Sequence, residues 1–549
     1  MNIQGTFCTI HHTVANIGAT LFRLLPQCGS LTMYTHRLDA VMPELPNILF
    51  ITLDQWRADA LSDALAPSLM ALASEATSTV FERHYCQAFP CGPARASLMT
   101  GLYAEQHDIR HNDAVLDARH QTLFQLLRTA GYNPTLFGYT DVGDPVGPDA
   151  DPSRAACNGL SVDTPLNEDA ALWIQHLKKA AYDLPVDPRA NITSSGIPEH
   201  RDEILNARRF DQPTLFDDAH SEAAFLTDRF LQWLPRANAV PFCAHLSYIS
   251  PHPPFAVAAP FNDMFAARDV AAPCRGSSPA IEAAQHPFMH ALLERVTAGK
   301  FAPGLQGLSK AQSLETTLQV KAVYAGQVRQ VDAHIGRLFD TLRERGQWDN
   351  TVVIVTADHG EQLFDHYLLG KTAYFDESAH IPLIVRLPAL YTGNSHAMQG
   401  RRVSAFTESI DLVPTLLSLA NIALPSACQG RSLLPWCSGE TPAIWRDEVH
   451  WQFDFAHVAN GRLSDSLGLT PANSRLDVVR TKRLKYVHFE GMPPVLFDLL
   501  NDPHELRNMA NELADEVANE VANEVADADR KRSLLLEGRA RWQTWRDDV

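Results

Sequence analysis

Basic residues are in short supply: 46 Lys and Arg stand against 64 Asp and Glu, a formal charge of −18 at pH 7. Tracking the phosphates of a nucleic acid needs dense cationic surface, so nucleic acid is excluded as a partner. Any anionic substrate must then be met locally, by a metal ion, an Arg, a Lys or a helix N-terminus. Cysteine is equally sparse, nine in 549 residues, an odd number with no C-x-x-C pair. That offers neither a disulfide framework nor a thiolate zinc site, and it points to a reducing, cytoplasmic setting. No apolar run approaches the roughly 20 residues of a membrane-spanning helix, so no membrane association is expected. Signatures of disorder are missing too, because 45% of the residues are hydrophobic and only 20% charged, enough to bury a large core.

A chain of this length exceeds what one core usually serves, which argues for a large domain and a smaller one. Residues 1–41 read as a leader, disordered or preceding the true start at Met42: the weakly apolar Thr13 to Leu25 patch lacks a clean cleavage site. Residues 42–430 read as an α/β domain. Asn47 to Leu53 (NILFITL) and Thr351 to Thr356 (TVVIVT) are continuous β-branched apolar runs, the mark of strands buried on both faces of a parallel sheet. Phe242 to Ile249 and Ile381 to Leu387 look similar. Helical periodicity between them predicts helices near 64–76, 120–130, 219–234 and 312–345, two of them stopped by Gly131 and Gly346. Strands alternating with helices imply a sandwich around a largely parallel sheet, with chemistry at the carboxyl ends of its strands. The Pro- and Asp-rich stretches 141–213 and 251–307 are expected to run over the active-site face. Residues 431–549 read as a smaller C-terminal α+β domain, with an antiparallel hairpin over 476–489 and helix over 511–545. In the repeat EVANEVANEVA, Val517, Val521 and Val525 fall on one helical stripe, a packing edge on a solvated helix.

Two strand ends carry acidic residues, Asp54-Gln55 and Asp358-His359. Three oxygen donors and one imidazole make a mixed set that suits Mn²⁺, Ca²⁺ or Mg²⁺. Alone, each Asp is as well explained as a cap or an ion-pair partner. The segment Cys91-Gly92-Pro93-Ala94-Arg95, continuing to Gly101, places Pro in a first helical turn and Gly at a helix end, so Cys91 is expected at a helix N-terminus with Arg95 one turn on. Free N–H groups and the positive dipole end favour an anion there. An ordinary buried cysteine before a helix has the same letters.

The C-x-P-x-R segment resembles the signature of the type I sulfatases, in which this Cys is converted to formylglycine; Cys91 is the matching position. The resemblance implies an alkaline-phosphatase-like fold and a formylglycine-generating maturation enzyme as partner. It also implies one divalent metal ion held by Asp54, Gln55, the modified Cys91, Asp358 and His359. Typical sulfatases have Asp-Asp where this chain has Asp54-Gln55, commonly Asp-Asn for Asp358-His359, and a G-K-W-H-like run where this chain has Gly138-Tyr139-Thr140-Asp141.

The combination of D-Q-W-R at Asp54, C-G-P-A-R-A-S at Cys91, G-Y-T at Gly138, P-H-P-P-F at Pro251 and the run from Asp358 to Ile384 is similar to the phosphonate monoester hydrolase/phosphodiesterase branch. By that match Asn112, Tyr139, His252 and Lys371 contact the substrate anion, and a homo-oligomer is expected. Where the branch has Thr, this chain has Asp141, an acceptor in place of a neutral donor, which bears on the anion preferred.

Each contact has a chemical rationale. Lys371, in a Gly-Lys turn, brings an ammonium over the metal, although a lone Lys is as readily a surface residue. His252, between prolines, is placed to give a proton to a leaving oxygen. Asn112 and Tyr139 offer neutral donors. The reaction implied is attack by one hydroxyl of the formylglycine hydrate, with Arg95 and the metal favouring its oxyanion, on phosphorus or sulfur of a small anionic ester. The second hydroxyl then expels the bound group by C–O cleavage. Phosphonate monoesters, phosphate diesters and sulfate esters share this route. A true arylsulfatase, or a silent relative that keeps Cys91 as a thiol and only binds metal or anion, uses the same residues.

Overall fold

In the computed structural model, which describes residues 45–112, 114–143, 156–166, 170–185, 200–237, 241–392, 400–458, 461–518 and 525–549, the NILFITL run is a strand buried at every position. The described residues fall within one compact unit, Leu45–Val549; the expected leader 1–41 lies outside them.

In chain order the strands are β1 (Asn47–Leu53), β2 (Ser78–Tyr85), β3 (Ala88–Phe89), β4 (Pro134–Gly138), β5 (Ala156–Cys157) and β6 (Leu160–Pro165). They continue with β7 (Cys243–Tyr248), β8 (Thr351–Ala357), β9 (His380–Ile381), β10 (Leu383–Arg386) and β11 (Arg401–Glu408). The last four are β12 (Glu448–Asp454), β13 (Arg475–Thr481), β14 (Leu484–Phe489) and β15 (Val495–Asp498). A large sheet runs β11-β2-β10-β8-β1-β7-β4-β6-β5, with β9 beside β2. Its centre, β8-β1-β7-β4-β6, is parallel. Because side chains alternate along a strand, Leu49, Ile51 and Leu53 enter one apolar cluster, packed against the helix Leu314–Glu344. Ile48 and Phe50 enter the other, against the helices Leu123–Thr129 and Leu412–Leu419. The result is the expected α/β sandwich.

Helix ends follow their caps. Ser313 accepts from Thr316 N–H at 3.1 Å to start the long helix, which stops before Gly346 at φ +67°. Pro67 at the first position shortens the 64–76 prediction to Pro67–Ala73. Ser221 caps Glu222–Trp233 and leaves 218–220 as a 3₁₀ turn.

Three expectations are corrected. Ile381 to Leu387 is two strands divided at Pro382, which has no N–H to donate, and β10 is antiparallel to both neighbours. The stretch 141–213 is not wholly an excursion, because β5 and β6 return to the sheet edge; β6 is half exposed and so lacks the continuous apolar run of a central strand. The 511–545 helix is two, Met509–Ala518 and Val525–Asp548, and the Val517, Val521 and Val525 side chains lie outside the described residues. The 251–307 stretch consists of 3₁₀ turns and two short helices, Pro279–Ala284 and Pro287–Leu293.

The second sheet runs β15-β14-β13-β12-β3. Its hairpin β13–β14 is antiparallel as expected, but its last member is β3, from far earlier in the chain and parallel to β12 through Gln452↔Ala88 and Phe453↔Phe89. Two residues later comes Cys91, so the small sheet fixes the backbone that leads into the site.

Candidate active site

Parallel register places the first two acidic groups. Leu53 pairs with Ala357 across β1 and β8, so Asp54 and Asp358 leave adjacent strands side by side, both buried. On the other flank of β1, β7 ends at Tyr248 and leads to His252, and β4, next along, ends at Gly138 before Tyr139. Four strand ends therefore deliver Asp358, Asp54, His252 and Tyr139 to one edge of the sheet.

The helix Cys91–Thr100 comes in over that edge with Cys91 as its first residue and Gly101 at φ +73° closing it, as the Pro and Gly positions predict. Cys91 Sγ lies 3.2 Å from His359 Nε2, 3.2 Å from Lys371 Nζ and 4.0 Å from Asp54 Oδ1. Lys371 Nζ also donates to Gln55 Oε1 at 2.9 Å. Arg95 turns its guanidinium to the carboxylates: Nε donates to Asp358 Oδ2 at 3.0 Å, Nη2 to Asp54 Oδ2 at 3.1 Å and Nη1 to Ser247 Oγ at 2.6 Å. It stacks 4.3 Å from the Tyr139 ring centroid, and the Tyr139 hydroxyl donates to Asp54 Oδ2. Asn112 accepts from Gly92 N–H at 2.9 Å and donates to Asp141 Oδ2 at 3.4 Å, which puts this pair at the helix N-terminus beside Cys91.

Burial and like charge set the protonation states. Asp358 is pushed up to about 7 by burial and then by the Asp54 carboxylate. Burial works to raise Asp54 as well, but His252, Lys371, His359 and Arg95 together hold it well below the usual range. Burial, then Asp54, raises the Cys91 thiol, so as a plain cysteine it is a poor nucleophile. Burial and then Lys371 bring His359 and His252 down to about 3, so both are neutral near pH 7.

Donor atoms of Asp54, Cys91, Asp358 and His359 all lie within 4.8 Å of one another, and all four residues are buried. Two carboxylates, each paired to Arg95, converge with the sulfur and the imidazole on one point. His359 Nδ1 faces the Gly360 carbonyl at 3.0 Å, which puts the hydrogen on Nδ1 and turns the Nε2 lone pair inward. An oxygen-rich set with one imidazole fits a divalent cation of the Mn²⁺, Ca²⁺ or Mg²⁺ kind.

Sequence reading missed four supporting residues. Glu361 accepts from Gln55 Nε2. Arg57, inside the quoted D-Q-W-R, ties the Glu361 and Gln362 carbonyls to Asp365. Ser247 holds Arg95. Arg201 donates to the carbonyls of His252 and Pro253 at 3.3 and 2.7 Å. Each acts across a long sequence separation, and only Arg57, three residues after Asp54, and Glu361, three residues after Asp358, carry a local signal.

The Sulfatase family model matches residues 46–422. The chain belongs to the sulfatase family. Residues 364–531 match the model described as N-sulphoglucosamine sulphohydrolase, C-terminal. The chain is 38% identical over 485 residues to the multifunctional alkaline phosphatase superfamily protein PehA of Trinickia caryophylli, covering 85% of this chain and 91% of that one. It is 27% identical to the choline-sulfatase of Rhizobium meliloti, over 85% and 82% of the two chains. The solved phosphonate monoester hydrolase of Agrobacterium radiobacter superposes with a TM-score of 0.77 at 34% identity, covering 90% of this chain and 96% of that one. The enzyme of the same name from Silicibacter pomeroyi gives the same TM-score and identity over 90% and 95%. The fold is that of the alkaline phosphatase superfamily, and this sulfatase-family chain is a hydrolase. Among the described residues no helix is long and apolar enough to cross a membrane.

Proposed function

We propose that this chain is a metal-dependent hydrolase that cleaves phosphonate monoesters and phosphate diesters from a formylglycine at position 91, with sulfate esters as secondary substrates. The observation that carries it is the setting of residue 91, first in a helix and 3.2 Å from both His359 Nε2 and Lys371 Nζ. The choice of ester rests on Tyr139 and the neighbouring Thr140 standing where typical sulfatases grip sulfate with cations, and on the likeness to PehA and the phosphonate monoester hydrolases. Free cysteines at 86, 91, 243, 274, 428 and 437 support a reducing, cytoplasmic setting.

Asp54, Gln55, residue 91, Asp358 and His359 would hold one divalent ion. The ion supplies positive charge to the attacking and nonbridging oxygens, and formylglycine, as its hydrate, supplies the attacking oxygen. Arg95 orients the two carboxylates and offsets their mutual repulsion. Lys371 and the helix N-terminus meet charge on the nonbridging oxygens, and Asn112, Tyr139 and Asp141 line the same anion. His252 faces the leaving group. With Nδ1–H on the Pro253 carbonyl at 2.8 Å, the neutral ring has an unprotonated Nε2, so it serves as acid only after protonation, which an arriving anion favours.

Mass spectrometry of the peptide containing residue 91 tests the reading. Conversion of thiol to aldehyde lowers the mass by about 18 Da, and material with that shift is expected to turn over aryl phosphonates and phosphate diesters faster than aryl sulfates. Cys91→Ala removes turnover and leaves the fold intact. A substantial residual rate in that variant contradicts the nucleophile; faster turnover of aryl sulfate makes the chain a true arylsulfatase; an unmodified thiol without activity in native material makes it a silent relative.

A further inference from the structure

A primary amide has two faces of almost identical shape, one accepting and one donating, so a metal-ligating glutamine needs a partner that dictates which face it turns to the ion. Gln55 sits at φ +64°, a backbone state that favours glycine. Its N–H is held by Asp358 Oδ1 at 3.2 Å and its carbonyl by the Tyr324 hydroxyl at 3.0 Å. The backbone is thereby fixed, but nothing in it selects the amide face. That selection is made by the Lys371 ammonium, which only donates and holds Oε1 at 2.9 Å, together with Glu361. Its side chain is fully buried, and a carboxylate only accepts. One oxygen takes the Gln55 Nε2 hydrogen; the other takes Leu363 N–H at 2.9 Å and Gly370 N–H at 2.6 Å.

The two bonds act on opposite sides of the site. Holding Nε2 turns Gln55 Oε1 toward Lys371 Nζ, 2.9 Å away, and toward the Asp54, Cys91, Asp358 and His359 cluster. Holding Gly370 N–H, while Gln362 N–H closes on the Gly370 carbonyl at 2.8 Å, fixes the turn from which Lys371 projects. Gly370 is at φ +86° with a Cβ position 3.1 Å from the Phe301 ring, so the turn accepts no other residue without displacement. Glycine and carboxylate together aim the ammonium.

We propose that Glu361 is the positioning residue of the metal centre, setting the amide face of Gln55 together with Lys371 and fixing the placement of Lys371, without itself touching metal or substrate. The inference rests on the reading of Gln55 as a metal ligand. A buried carboxylate that merely closed a loop would give the same contacts to Leu363 and Gly370, so the discriminating bond is the one to Gln55.

A donor–acceptor swap tests it, with Mn²⁺ affinity measured on the matured full-length protein by competition with a chelator. Glu361→Gln keeps shape but offers a donor, which lets the Gln55 amide turn over; the expected loss of Mn²⁺ affinity is about 10- to 100-fold, the usual cost of an outer partner. Gln55→Glu alone sets two carboxylates face to face and also weakens binding. The double variant Q55E/E361Q restores one donor and one acceptor at unchanged net charge, and is expected to regain most of the affinity, with the Lys371-dependent kcat recovering alongside. The swap keeps the test decisive if either single variant folds poorly. Wild-type affinity in Glu361→Gln, or a double variant no tighter than the weaker single, overturns the proposal. Equal Mn²⁺ retention by wild type and Asp358→Asn overturns the metal reading beneath it, a separate result.

Discussion

The backbone of Gly92 lies so close to the substrate loop that a Cβ there would meet the Asp141 carbonyl oxygen at 2.6 Å and Asn112 Cα at 3.0 Å. Both contacts are backbone atoms, which do not move aside as a side chain would, and the Gly92 N–H is at the same time bonded to Asn112 Oδ1. Gly92→Ala is therefore expected to push the Asn112–Asp141 wall away from the first turn of the Cys91 helix, at a stability cost of about 1–3 kcal/mol. Steady-state kinetics on an aryl phosphonate should show KM raised more than kcat is lowered, because in the proposed reaction the wall lines the anion while residue 91 keeps its place. Tyr139→Phe acts on the other side. It deletes the hydroxyl that donates to Asp54 and keeps the ring under Arg95. Hydrogen bonds to charged groups contribute about 1.5–3 kcal/mol to stability, so the thermal midpoint should fall, and kcat/KM of the folded variant should fall with it because Asp54 loses the donor that holds it.

At the scale of elements, the Pro251–Pro254 segment shows how His252 is held without regular structure. Arg201, from the short helix His200–Leu205, donates to two successive carbonyls of that segment and pairs with Glu222 Oε1 at 2.7 Å, all within the core. Arg201→Met should cost about 3–5 kcal/mol by leaving Glu222 as an uncompensated buried charge, whereas Arg201→Met with Glu222→Leu should recover most of it. Turnover should stay low in both, since neither holds the His252 carbonyl. Urea unfolding and kcat on the same two variants separate stability from positioning. The same contrast explains what the sequence made legible. β1 and β8 were readable to within a residue because strands covered on both faces are apolar throughout, and their abrupt ends at Asp54 and Asp358 marked the site. β6 was not, because half of it meets solvent. β3 was not, because two residues carry no period, and its pairing with β12 lies more than 360 positions away. Cys91, Lys371 and His252 stood out through local letters; Arg201 and Ser247 matter through partners that no local pattern contains.

For the whole molecule, the small sheet grips the active site at two points. β3 runs into Cys91, and Asp376, five residues after Lys371, is fastened to β14 and β13: Lys485 Nζ lies 2.7 Å from Asp376 Oδ1, and Arg480 donates to Asp376 Oδ2 at 3.1 Å. Lys485 is fully buried, 5.0 Å from the Trp451 ring centroid, and is shared with Glu505. Two carboxylates on one ammonium do not ionise equally. Despite its burial, Asp376 is held well below its usual range by Lys485 and Arg480. Burial pushes Glu505 up to about 8, opposed by Lys485 and reinforced by Asp376 and Glu377. The folded protein thus keeps a proton on Glu505 that the unfolded chain releases above about 4.5. Its contribution to stability is complete below that pH and is lost progressively as pH rises through about 8, because the unfolded state binds fewer protons across that window. Glu505→Gln, which carries the protonated shape at every pH, is expected to have a thermal midpoint that declines less than the wild type's between pH 5.5 and 8.5. The gap between the two proteins should open with increasing pH. Parallel midpoints over that range would mean that Glu505 is ionised throughout in the folded protein, and that the fastening of the Lys371 loop to the small sheet does not depend on pH.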